Sequence, residues 1–136
     1  MTLAADSSVA IAAILADHEA HEEAEDALMR SSSTIAHVAS ETYSVLTRLP
    51  APLRLDATAA ARIIALRLPP VHVTLAADAH AAAPATLAAA SVSGGATYDG
   101  LIALTALEHD LELLSRDRRA ARAYRALGVR FALLGA

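Results

Sequence analysis

Four carboxylates, Asp6, Glu41, Asp99 and Asp117, have the spacing and local context to share one site. Asp6 directly follows a short apolar run, Leu3-Ala4-Ala5. Asp117 closes the segment Thr97–Asp117, TYDGLIALTALEHDLELLSRD, and Asp99 stands near its start. Glu41 comes shortly after the run TIAHV. If those runs are parallel strands, ligands bind beyond their carboxyl ends, and all four acids map to that edge. Carboxylates a few ångströms apart repel by roughly 1–4 kcal/mol per pair in a partly solvated setting. A divalent cation among them would offset that cost. An all-oxygen donor set favours Mg²⁺ or Mn²⁺ over zinc, and such ions activate water towards phosphodiesters.

Each acid also has a plain structural account. Asp6 and Asp117 suit helix N-caps, the commoner fate of an Asp after a strand. Glu41 suits a first-turn acid, and Asp99 a surface charge beside Thr97. On pattern alone the two accounts stand level.

The elements that must position these acids alternate in type. Leu3–Ala5 is expected as a strand, followed by a helix over Val9–Ala16 capped by Ser7 or Ser8. His18–Arg30 reads as an acidic helix with a solvated face. Thr34–Val38 is expected as the second strand, and Ser40 as the start of a helix carrying Glu41. Asp56 caps a further helix that stops before Pro69-Pro70. Val71–Leu75 alternates and is β-branched, hence a third strand. Ala76–Ala90 should be helical, with Pro84 kinking or splitting it. Thr97 should cap an almost wholly apolar central helix, which must be buried against a sheet. Leu111–Leu114 and Val129–Leu134 complete the strands, around a helix over Arg118–Leu127 closed by Gly128. The pattern predicts an α/β fold with a mainly parallel central sheet of four to five strands, helices on both faces, in one domain over residues 1–136.

Composition narrows the chemistry. There is no Cys, so neither disulfides nor thiolate metal sites arise. Without Trp and with few aromatics, a single-strand base-stacking platform is not expected. The net charge is -4, unlike a simple electrostatic nucleic-acid binder. Yet six of the eleven basic residues, Arg116, Arg118, Arg119, Arg122, Arg125 and Arg130, lie in the C-terminal segment. All the basic residues are Arg; without Lys there is no Walker A loop. Met1–Ala16 lacks the basic start of a signal peptide. Ala79–Tyr98 is too weakly apolar and too broken to span a membrane. A soluble, cytoplasmic domain is the expectation.

The segment GGATYDGLIALTALEHDLELLSRD resembles the C-terminal half of PIN-domain ribonucleases, particularly VapC-type toxins of bacterial toxin–antitoxin pairs. LAADSSVAIAAIL resembles the family's opening strand, and HVASETYSVLTRL its glutamate helix. The likeness covers nearly the whole chain. It implies Asp6, Glu41, Asp99 and Asp117 as metal-binding catalytic acids, with Ser7 and Ser115 as hydroxyls orienting them. It further implies RNA as substrate, Mg²⁺ or Mn²⁺ as cofactor, a homodimer, and inhibition by a cognate antitoxin inserted into the active-site groove. Two features depart from the family. Gly100 replaces the usual Ala, weakening the helix start by roughly 1 kcal/mol, and the first strand is Ala-rich.

Arg116 and Arg118, with Arg119 and Arg122, could hold RNA phosphates, or form a solvated basic face. Of these Arg116, adjoining Asp117, is the first candidate. His37 is expected to be structural. A non-catalytic binding module of the same fold is the alternative, against which the retention of all four acids counts. A haloacid-dehalogenase-type phosphatase fits poorly, because position 8 is Ser rather than Asp and Lys is absent.

Overall fold

Leu113 and Leu114 point to opposite faces of one strand, and both are buried. That strand must therefore be covered on both sides. In the computed structural model, which describes residues 2–135, it is the centre of the main sheet. Met1 and Ala136, the ends of the expected domain, lie outside the described residues.

The elements follow as β1 (Thr2–Ala5), α1 (Ser7–Ile14), α2 (His21–Arg30), β2 (Thr34–Ile35), α3 (Ala36–Thr47) and α4 (Ala57–Arg67). Then come β3 (His72–Val73), α5 (Ala77–Ala89), α6 (Ala96–Glu108), β4 (Leu111–Ser115), α7 (Arg118–Leu127) and β5 (Phe131–Leu133). The strands are parallel throughout, in a three-stranded sheet of order β1-β4-β5 and a two-stranded ladder β2-β3. The Ser32 amide donates to the Leu3 carbonyl at 2.9 Å, tying the small ladder to the other side of β1. The chain thus leaves β1 towards β2 on one side and returns to β4 on the other. The gap beyond the carboxyl ends of β1 and β4 is a topological switch point, where open α/β sheets bind ligands.

Register sets what meets there. Ala5 pairs with Leu114, and the Asp6 amide donates to the Leu114 carbonyl at 2.9 Å. The next step along the two strands brings Asp6 alongside Ser115. The helices α1, α6 and α7 all pack on β4. Small side chains permit their close approach: Ala10, Ala13, Ala103, Ala106 and Ala120 are buried in the core with Val9, Ile102 and Leu113.

Several boundaries differ from the expected ones. The strand expected over Thr34–Val38 stops at Ile35, and α3 begins at Ala36. Val38, Thr42 and Leu46 are buried at four-residue intervals, so helical periodicity outweighs the β-branched composition. Glu41 consequently lies in the second turn of its helix, not the first. The strand over Val71–Leu75 shrinks to His72–Val73, because only β2, itself two residues long, pairs with it. Neither serine caps α1; Asp6 does, and the helix ends at Ile14. The acidic helix starts at His21, since the His18 ring accepts from the Ala20 amide and holds a turn before it. Thr97 lies inside α6, whose cap position is Gly95. Pro84 does not split α5. Asp56 caps α4, and Gly128, at φ 76°, closes α7 in the left-handed region that favours glycine.

Gly100 has a packing reason. A Cβ there would run into Leu87 Cδ2 and stand 3.3 Å from Val92 Cγ1. Leu87 and Val92 belong to a small second core with Ala83 and Ala123. The lost helix propensity is exchanged for close contact between α5 and α6. Among the described residues no helix is long and apolar enough to cross a membrane.

Candidate active site

Asp6 is the most enclosed of the acids, only 2% exposed. Burial pushes its carboxyl up, and hydrogen bonds from Ser115, Ser8, Tyr124 and the Val9 amide pull it back. Oδ1 accepts from Ser8 Oγ at 2.6 Å and from the Val9 amide at 3.3 Å. Oδ2 accepts from the Tyr124 hydroxyl at 2.8 Å. Ser8 Oγ in turn accepts from the Arg116 amide at 2.8 Å, joining the start of α1 to the end of β4.

Asp117 is the N-cap of α7. Its Oδ1 accepts from the Arg119 and Ala120 amides at 2.8 and 3.3 Å. Its own amide donates to Ser115 Oγ at 3.0 Å. Glu41 reaches in from α3 and accepts from Ser7 Oγ. Ser7 Oγ donates to the Glu41 carboxylate, and Ser115 bonds the Asp6 carboxyl and accepts from the Asp117 amide rather than touching the Asp117 carboxylate.

Asp99 ties the group together. It lies in the first turn of α6, half-buried. Its carboxyl is pushed up to about 6, first by burial and then by the charges of Glu41, Asp117 and Asp6. A group feels three others in this way only when all occupy one neighbourhood. The starts of α1, α6 and α7 converge on it, and their dipoles offset part of the repulsion. No Arg or His forms an ion pair with any of the four acids among the described residues.

The donor set is carboxylate and hydroxyl oxygen, with no thiolate in the chain. That chemistry and the uncompensated negative charge fit a hard divalent cation. Among the described residues, no three acids or histidines stand close enough to form a ready-made cage. Asp6, Glu41 and Asp117 are instead each held by donors of the protein. His37, one helical turn before Glu41, stacks on Tyr98 with ring centroids 5.5 Å apart. The apolar cavity of about 380 Å³ lined by Ala83, Pro84, Leu87, Val92 and Leu101 includes no acid. Charge, rather than cavity size, marks the site.

A family model described as PIN domain matches residues 4–126. The chain belongs to the PIN-domain family. Among relatives of this PIN domain is Ribonuclease VapC40 of Mycobacterium tuberculosis, 42% identical over 132 residues, covering 97% of this chain and 98% of the relative. Ribonuclease VapC27 of the same species is 42% identical over 133 residues, covering 93% of each.

The arginines of this PIN domain separate in the structure. Arg116 is half-buried, with its Nε enclosed and without a partner. Arg118 is exposed at the first position of α7. Two residues at the site have little signal in the sequence. Ser8 suggests only a capping role there, although it adjoins Ser7. Tyr124 carries no signal beyond being the one aromatic residue of its helix, four positions after the buried Ala120.

The double duty of Asp117 gives a test. Asn also caps helices, whereas Ala does not. Asp117→Ala is expected to lower unfolding stability by about 1 kcal/mol relative to Asp117→Asn. Urea titrations of the two variants measure the difference; equal midpoints would mean that the cap contributes nothing.

Proposed function

We propose that this PIN domain, acting as one unit over residues 1–136, is a metal-dependent endoribonuclease and the toxin of a VapBC-type pair. The observation that carries the reading is Asp99, lifted to about 6 beside three further acids, with no ion pair to any of them among the described residues. The relatives named as VapC ribonucleases support RNA as the substrate.

In this reading Asp6, Glu41, Asp99 and Asp117 would hold Mg²⁺ or Mn²⁺. The cation supplies activation of the attacking water and charge stabilisation at the leaving oxygen of the phosphodiester. Ser7 holds Glu41, and Ser115, the last residue of β4, accepts from the amide of Asp117 two residues on. Arg116, beside Asp117, and the exposed Arg118 are the proposed phosphate contacts. Phosphate contacts bind without regard to sequence, so selection among RNAs would lie elsewhere. The proposed partners are a cognate antitoxin and a second copy of the chain, and the proposed compartment is the cytoplasm.

Purified protein is expected to cut RNA when Mg²⁺ or Mn²⁺ is supplied, to stop in EDTA, and to resume when the cation is restored. Undiminished cutting in EDTA would overturn the metal assignment, and no cutting under any cation would overturn the nuclease.

A further inference from the structure

The core of this protein is built from Ala, Leu, Ile and Val, and Tyr124 is its largest fully buried side chain, at 0% exposure. A buried phenol costs free energy unless its hydroxyl finds a partner. Phe would fill the same space without that demand. The ring is well seated without the hydroxyl: Phe131 packs edge-on against it, with centroids 5.6 Å apart and planes at 62°. The hydroxyl is directed at a single acceptor, Asp6 Oδ2, at 2.8 Å.

Ser115 also bonds the Asp6 carboxyl, and the other two donors share one side of it. Ser8 Oγ and the Val9 amide both reach Oδ1. Turning the carboxylate about its Cβ–Cγ bond moves both oxygens and so already strains the contacts at Oδ1. A donor on the second oxygen adds a contact that the same turn must break, and holds the plane of the group more firmly. Tyr124 also stands on α7, the helix that Asp117 caps. The same rigid element therefore places one acid by its first residues and orients another by its seventh.

We propose that Tyr124 is a positioning residue: its hydroxyl holds the plane of the Asp6 carboxylate and so orients that acid for a cation that Asp6, Asp99 and Asp117 would hold together. The inference rests on the metal-dependent reading above, and it assigns Tyr124 no contact with substrate. Donors behind a ligating carboxylate commonly change metal affinity by about 10–100-fold when removed.

The test is Mn²⁺ titration calorimetry on the full chain without RNA, for the wild type, Tyr124→Phe and Phe131→Leu. Tyr124→Phe is expected to bind Mn²⁺ at least about tenfold more weakly, with a small change in its urea midpoint. Excess Mn²⁺ should restore its cleavage of RNA, because affinity rather than turnover is lost. Phe131→Leu loosens the packing of the ring and leaves the hydroxyl in place. It should lower the urea midpoint and leave Mn²⁺ affinity unchanged. Wild-type affinity in Tyr124→Phe overturns the positioning role and leaves the metal reading standing. A loss of affinity that merely follows stability in both variants also overturns it. Failure of the wild type to bind Mn²⁺ overturns the metal reading, and this inference with it.

Discussion

Asp99→Asn is expected to abolish RNA cleavage and, in the metal-free protein, to raise stability. The loss of cleavage follows from removing one of four charges that would hold the cation. Metal stabilisation of transition-state charge is worth several kcal/mol, and each 1.36 kcal/mol is tenfold in rate, so a loss of at least about 100-fold is expected. The gain in stability follows from the carboxyl's own environment. Its ordinary value of 3.8 rises to about 6 in the fold, so the folded state holds the proton more tightly than the unfolded chain does. The associated stability is complete below the unfolded value and is lost as pH rises through about 6. At neutral pH the ionised group therefore opposes folding. The full shift corresponds to about 3 kcal/mol; half-exposure to solvent reduces this to about 1–2 kcal/mol. Asn removes the charge and the penalty. Thermal melts of wild type and variant in EDTA, from pH 4 to 8, should therefore diverge as pH rises from about 4 to about 6 and stay apart above that, with the variant higher. The same protonation competes with the cation, so metal affinity should fall as pH drops through about 6. An Asn variant that melts lower at neutral pH would mean that the four acids do not repel one another.

Leu113→Ala should be the most damaging change in the core. Leu113 is fully buried in the central strand, paired with Ala4 of β1 and Phe131 of β5. Large-to-small substitutions of this kind cost about 2–5 kcal/mol, depending on how far the surroundings collapse. Around Leu113 they collapse little. Ala4, Ala10, Ala103 and Ala106 are among the core residues, and an alanine has no rotamer with which to fill a neighbouring void. A cost of about 3–5 kcal/mol is expected, a large share of the 5–15 kcal/mol typical of a domain. Urea unfolding measures it directly. A loss below about 1 kcal/mol would show that the Ala-rich interior rearranges freely, contrary to a close-packed core.

How much of the site was legible depended on how local each residue's signal is. Asp6 and Asp117 announce themselves, because each follows an apolar run and precedes a helix. Both physical accounts of them proved compatible: each caps a helix and each faces the shared charge cluster. Glu41 was legible as a neighbour of the other acids but not in its turn of helix, because β-branched TIAHV masked the periodicity of Val38, Thr42 and Leu46. Strand lengths were overestimated for the same reason: a strand runs only as far as its neighbour pairs with it, and β2 offers β3 just Thr34 and Ile35. Tyr124 could not be read at all. Its partner lies 118 residues away, and only the packing of α7 on β4 brings the two together. Gly100 looked like a weakness in the helix and proved to be the seat of Leu87.

Because α7 supplies the cap acid at its first turn and the phenol two turns on, it acts as a keystone. Lifting that ten-residue helix off the sheet would take the phenol from Asp6 and displace Asp117 together, and would uncover Ala120, Ala121, Ala123 and Tyr124. The geometry of two acids is thus tied to the seating of one helix.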